Sequence, residues 1–280
     1  MHHQQTVKGG FSMQLKPDSV CLVTGASSGI GRAIAEALVR RGMRVYGTSR
    51  HPAVAEDNGI RMLPLDLCDE ASIEAAVAAL MEREGRIDLL VNNAGAGIGG
   101  AVEDASSEAL RQQLDVAFLG HVLMTRAVLP HMRRNGGGRI LLTGSVAAGI
   151  PIPFQAMYSA AKAALRAFAS ALAGEVAPFG IDVTVIEPGD TCTGFTDRRM
   201  TEIPSGSAYT GRAGRSIAVM ERDERGGASP DAIARVAVRA AFARHPKPRI
   251  TVGFRYRLFD VLRRCLPERL TQRIIATLYA

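Results

Sequence analysis

The sequence predicts a single α/β domain: one doubly wound parallel sheet of about seven strands with helices on both faces. Two observations predict it. Short β-branched runs alternate with longer segments of helical period, and the first strand and helix are joined by a glycine-rich turn. The β-branched runs place strands at 20–24, 44–48, 60–65, 88–92, 139–143, 181–186 and 249–252. After the first of these, Ile30, Ala33, Ile34, Ala37 and Leu38 form one apolar helical face, and after the third Ile73, Ala76, Val77 and Leu80 form another. Near the end, Ser229-Pro230-Asp231 opens a helix with an N-cap, a proline suited to the first turn and an acid that complements the dipole.

The 280 residues fit one such domain, taken as 19–254. With 47% apolar and 22% charged residues the composition is globular, and every apolar run is too short or too interrupted for a transmembrane helix. Residues 1–18 carry His2, His3, Gly9 and Gly10 but no apolar secretory centre, so a flexible tail is expected there. Four cysteines, Cys21, Cys68, Cys192 and Cys265, are scattered without a C-x-x-C pair, which suits reduced thiols in a cytoplasmic protein. No metal site is expected. The net charge of +7 is spread along the chain without a dense basic run, which argues against nucleic acid as a partner.

The turn after the first strand reads Thr24-Gly25-Ala26-Ser27-Ser28-Gly29-Ile30-Gly31 and leads straight into helical period. Small residues there let backbone N–H groups at a helix N-terminus approach a pyrophosphate, as in a Rossmann-type dinucleotide site. At the end of the second strand, where an acid would meet the ribose of NAD, stand Ser49 and Arg50. A guanidinium can hold a 2′-phosphate in a two-bond fork, so the expected cofactor is NADP(H) in preference to NAD(H). Arg32 is a second candidate contact, equally readable as an exposed helix arginine.

Tyr158 and Lys162 lie four apart in an alanine-rich helical stretch and so share a helix face. A phenol with a pKa of about 10 is a poor acid–base group at neutral pH, and a cation beside it favours the phenolate. Taken alone, Tyr-x-x-x-Lys reads more readily as a solvated helix pair.

These signals occur together with Asn92-Asn93-Ala94-Gly95 after the fourth strand, Ser145 after the fifth, thirteen residues before Tyr158, and a Pro188-Gly189 turn. In that order they resemble the short-chain dehydrogenase/reductase family, in its shorter branch, over about 20–252. The stretch Leu142-Thr143-Gly144-Ser145-Val146, with Pro151, Phe154 and Tyr158, is similar to steroid and retinoid dehydrogenases. The resemblance implies that Tyr158 is the general acid or base on the substrate oxygen, that Ser145 hydrogen-bonds the same oxygen, and that Lys162 both lowers the phenol pKa and holds the nicotinamide ribose. It also implies that Asp66 and Leu67 border the adenine, that Asn92, Ala94 and Gly95 line the ribose, and that Thr193, with Pro188, Gly189 and Thr191 before it, holds the carboxamide. One position departs: the family places an asparagine that distorts a helix and anchors a proton relay where this chain has Ala117, with His121 one turn on.

The segment 191–228 lacks a clear period and reads as a lid over the ligand crevice. Phe154, Met157 and Phe195 suggest an apolar carbonyl or alcohol substrate. Beyond the last strand, 255–266 and 268–279 are two basic amphipathic helices split by Pro267, open to three fates: cover for the pocket, a subunit interface, or contact with an acidic membrane surface. By resemblance, helices at 110–133 and 155–177 pair two subunits into a homodimer or homotetramer. The expected activity is NADP(H)-dependent hydride transfer to and from a carbonyl; a catalytically silent NADP-binding sensor is the alternative, separated from it by turnover.

Overall fold

The computed structural model describes residues 13–279, except for the side chain of Arg264. In chain order the elements are β1 (Val20–Val23), α1 (Gly29–Val39), β2 (Arg44–Ser49), β3 (Glu56–Asp57), β4 (Ile60–Pro64), α2 (Glu70–Glu84), β5 (Leu89–Asn92), β6 (Ile98–Gly99) and α3 (Ser107–Leu114). There follow α4 (Gly120–Arg134), β7 (Gly138–Thr143), α5 (Ala156–Val176), β8 (Ile181–Glu187), β9 (Met200–Thr201), α6 (Thr210–Arg225), α7 (Pro230–Phe242), β10 (Arg249–Thr251), α8 (Phe254–Cys265) and α9 (Glu268–Tyr279).

The main sheet runs β10-β8-β7-β5-β1-β2-β4-β3, parallel throughout except for the last pair. The seven expected strands are all present, and the eighth, β3, is a two-residue antiparallel edge too short to leave a pattern in the sequence. Strands β1 and β5 are buried on both faces, so their sequences are continuous apolar runs rather than alternating ones. Successive side chains still point to opposite faces. Val20 and Leu22 join one core with Leu80 of α2, Met124 of α4 and Leu165 of α5; Cys21 and Val23 join the other with Ile34 of α1 and Ala237 of α7.

The helices begin where their caps dictate. The Asp69 side chain accepts from the Ala71 N–H at 3.0 Å before α2, and the Ser229 hydroxyl accepts from the Ala232 N–H at 3.3 Å before α7, with Pro230 in its first turn. Because the chain leaves β1 in one direction to β2 and β4, then returns to β5, β7, β8 and β10 on the other side, a crevice opens beyond the ends of β1 and β5.

Two expectations are revised. The segment 191–228 contains a 16-residue helix, α6, whose inner face is Ala213, Ser216, Ile217 and Met220. That spacing is regular, but two of the four residues are small and Gly211 and Gly214 interrupt the stretch, so the apolar period is faint. The tail expected through Asp18 is laid against the domain from residue 13: Leu15 is buried, and the Asp18 N–H donates to the Gly42 carbonyl at 2.8 Å. Residues 1–12 lie outside the described residues.

Candidate active site

The crevice is a cavity of roughly 1040 Å³ into which the glycine turn, the ends of the central strands and α5 all face. At its floor, Gly25 and Gly29 adopt φ of +66° and +57°, conformations that side chains rarely tolerate. A Cβ at Gly25 would lie 2.9 Å from the Ala94 Cα, so the glycine is what lets the turn touch the loop after β5. Helix α1 starts at Gly29; its N-cap Ser28 makes no capping bond, and its first turn holds no acid. Its free N–H groups and dipole therefore face the cavity without a protein anion to satisfy them. Ser27, Ser28, Gly29 and Ile30 line the cavity, and Arg198 Nη2 donates to the Ser28 hydroxyl at 3.2 Å, adding a cation the sequence did not single out. These features fit the pyrophosphate of a dinucleotide.

Ser49 and Arg50 line the cavity beside β2, and the Ser49 hydroxyl is buried with no protein partner. Arg32 is turned elsewhere, to Glu36 at 2.9 Å and Asp57 at 3.0 Å. Asp66, Leu67, Ala94, Gly95, Pro188, Gly189, Thr191 and Thr193 all line the cavity.

Two expected cofactor residues do not. Asn92 is fully buried, and its amide donates to the His121 carbonyl at 3.2 Å and the Thr125 hydroxyl at 2.9 Å, tying β5 to α4. The lining residue is its neighbour Asn93, whose amide donates to the Thr24 carbonyl at 3.1 Å. Gly31 packs beneath the turn, where a Cβ would overlap the Gly25 carbonyl and the Asn93 amide.

On the other wall, α5 presents Tyr158 and Lys162 on one face, and Ser145 lies between β7 and the following turn. The Ser145 hydroxyl accepts from the Ala147 N–H at 3.1 Å, capping a turn, and lines the cavity beside Tyr158, close enough to bear on the phenol's titration. Phe195 packs on the Tyr158 ring at a 5.7 Å centroid separation. Burial raises the Tyr158 pKa above its ordinary value, the Ser145 hydroxyl opposes this, and the Glu224 carboxylate adds to it. The Lys162 Nζ is held by the Thr143 carbonyl at 2.9 Å and lies 5.9 Å from the phenol ring centroid, while burial pulls its own pKa down to about 8.

The helix before β7 is distorted at the expected place: Asp115–Leu119 forms a π-helical turn between α3 and α4 with Ala117 fully buried inside it. Alanine thus sits in the distortion without the side chain the family uses. Gly120 meets Leu67 so closely that a Cβ would lie 2.7 Å from the Leu67 Cβ, so backbone packing accompanies the bulge. His121 is buried, and its Nε2–H donates to the Ala94 carbonyl at 2.7 Å. Burial, then the Lys162 charge, lowers its pKa to about 3, so it is neutral, with Nδ1 facing no protein partner.

The substrate side mixes apolar and polar groups: Ile152, Met200 and Met220 line it together with Glu224. Of the three apolar candidates, Phe195 lines the main cavity, whereas Phe154 and Met157 border a small separate cavity by Ile98 and Val102. Glu224 of α6 lines the main cavity while bonding Arg199 and, at 2.7 Å, the Thr196 hydroxyl. The C-terminal helices reach the same wall. Tyr279 of α9 lines it, and the Tyr256 hydroxyl of α8 donates to the Asp190 carboxylate while its ring fills the space a Gly189 side chain would need. Covering the pocket is thus one of the three fates the structure displays. These partners are joined only by tertiary folding, and no local spacing announces them.

A Rossmann-type sheet, a glycine turn at its switch point and a Ser–Tyr–Lys wall define a nicotinamide-dependent oxidoreductase site, and the short chain dehydrogenase family model matches residues 19–203. The chain belongs to that family. It is 39% identical over 265 residues to a 3-ketodihydrosphingosine reductase of Bacteroides thetaiotaomicron, covering 93% of this chain and 98% of that protein. It is 36% identical over 195 residues to human 17-beta-hydroxysteroid dehydrogenase type 1, covering 64% and 59% respectively. Among solved structures, a short-chain dehydrogenase from Streptomyces avermitilis superposes with a TM-score of 0.80 at 33% identity, over 88% of this chain and 92% of that one.

Proposed function

We propose that this chain is an NADP(H)-dependent reductase or dehydrogenase that acts on the carbonyl or alcohol carbon of a largely apolar substrate. The observation that carries the reading is the convergence of Ser145, Tyr158 and Lys162 on the cavity that also holds the open N-terminus of α1. Nicotinamide bound there supplies or accepts the hydride. The chain's own part is positional and acid–base: Tyr158 moves a proton to or from the substrate oxygen, and Ser145 donates a hydrogen bond to that oxygen and orients it. Lys162 anchors the ribose hydroxyls from its place on the Thr143 carbonyl. Arg50 and the unpartnered Ser49 hydroxyl support NADP over NAD, since both suit a 2′-phosphate. The relative named for 3-ketodihydrosphingosine supports a ketone as the group reduced. Free cysteines at all four positions support a cytoplasmic site of action, and the correspondence of α4 and α5 to the family's subunit-pairing helices supports a homodimer or homotetramer.

The test is NADPH and NADH oxidation against long-chain ketones, including 3-ketodihydrosphingosine, steroids and aldehydes, with Tyr158→Phe as control. Turnover that the substitution removes supports the enzyme. NADPH binding without turnover on any of these classes favours the silent sensor, for which Ala117 in the π turn is the motivating observation.

A further inference from the structure

The C-terminal helix α8 is folded inside out relative to an ordinary surface helix. Its inner face is polar and aromatic: Tyr256 reaches Asp190, and Asp260 is paired with Arg249 at 3.0 Å and Arg263 at 3.1 Å. Its outer face is apolar. At about 100° per residue, Val261, Phe254, Cys265, Leu258 and Leu262 fall within one arc of roughly 100°, with Arg257 flanking one border and Arg255 the other. Phe254 is 75% exposed, Leu258 49%, Val261 58% and Leu262 47%. With Leu270 and Leu278 of α9, six of the eleven exposed large apolar side chains among the described residues belong to this one extension.

Scattered exposed apolar residues need no explanation, but a contiguous stripe does. The charges choose its occupant. Residues 254–279 contain six arginines against two acids, and one of the acids, Asp260, is turned inward. A second copy docked on this stripe about a two-fold axis would bring like rows of arginine together, which disfavours self-association. An apolar arc bordered by guanidinium groups matches an anionic bilayer surface, where the arc enters the acyl boundary and the arginines meet phosphates.

We propose that α8 is a membrane-docking helix that seats this face of the protein on anionic phospholipid. The proposal rests on the surface alone and is independent of the reaction. It has a consequence for the site all the same: Tyr256 of the docked helix touches Asp190 in the cavity wall, so the pocket would be held beside the bilayer from which an apolar substrate could enter.

The test is flotation of the full-length protein with vesicles of phosphatidylcholine alone or with added phosphatidylglycerol. Wild type is expected to float with the anionic vesicles and to be released by high salt. Leu258→Glu/Val261→Glu and Arg255→Glu/Arg257→Glu should each lower the bound fraction about tenfold while leaving the melting temperature and NADPH affinity unchanged. Absence of flotation on anionic vesicles, or equal binding by wild type and both variants, overturns the proposal. So does a third outcome: no vesicle binding while the glutamate variant of the apolar arc converts an oligomer to a monomer, which assigns the face to a second copy.

Discussion

At the scale of single residues, cofactor choice and proton transfer separate cleanly. Arg50 lines the cavity and Ser49 has a buried hydroxyl without a partner, and on the proposed reading both act on the cofactor's adenosine end, away from the reacting carbon. Arg50→Asp is therefore expected to weaken NADPH binding by about tenfold or more while changing NADH affinity only a few fold, a difference readable by cofactor titration. Equal losses would remove Arg50 as discriminator. Tyr158→Phe is expected to lower turnover by roughly 10²–10⁴ with NADPH affinity retained. Lys162 carries a stability cost as well as a role. Its pKa falls from 10.5 to about 8 in the fold, so at pH 7 the protein bears a buried charge that the unfolded chain solvates freely. That penalty is fully present below pH 8 and is released as pH rises from about 8 toward 10.5. Lys162→Met should thus abolish turnover yet raise the melting temperature at pH 7, with the gain shrinking across that window.

At the scale of elements, the turn into α1 and helix α4 each carry a distinct sensitivity. Gly31→Ala places a Cβ on the Gly25 carbonyl, which belongs to the backbone and cannot swing aside, so loss of NADPH binding with a lowered melting temperature is expected. His121 in α4 makes the fold acid-sensitive. Its folded pKa of about 3 lies below the ordinary 6.5, so the unfolded state binds the extra proton and stability falls as pH drops below 6.5, by up to ~1.4 kcal/mol per pH unit. His121→Gln should flatten that part of the profile in pH-dependent denaturant melts.

These two elements also show what was legible in the sequence. The turn was, because glycines at a strand–helix junction have a backbone reason to be there. The seven parallel strands were too, since burial on both faces demands unbroken apolar runs. The motif names Asn92 and Asn93 together without saying which faces the cavity, and the end of a strand sends neighbours to opposite sides, Asn92 toward α4 and Asn93 toward the cavity. The Arg199–Glu224 pair and the reach of Tyr256 and Tyr279 into the cavity wall are products of tertiary folding and leave no trace in local spacing.

At the scale of the whole molecule, chemistry and specificity occupy different parts of the chain. The strand ends and α5 bring Ser145, Tyr158 and Lys162 to the cavity, while α6 and α9 line it with Met220, Glu224 and Tyr279 and α8 backs it through the Tyr256–Asp190 contact; on the proposed function this second group is the wall the substrate meets. Tyr279→Ala should accordingly raise the KM for a bulky ketone several fold with little change in NADPH affinity, and steady-state kinetics against two substrate sizes would show it. Equal effects on large and small ketones would place Tyr279 outside the specificity wall. The far edge of the sheet has a different task. A parallel sheet ending at β4 would expose a row of free backbone groups able to recruit another chain. The hairpin partner β3 takes the first part of that row, pairing Glu56 with Arg61 and Asp57 with Ile60, a strand of two acids too short to template further growth. This brief strand works as a terminator: a short, acidic edge is a poor template for a further strand, so Glu56→Val/Asp57→Val is expected to hasten aggregation at high concentration, read by light scattering.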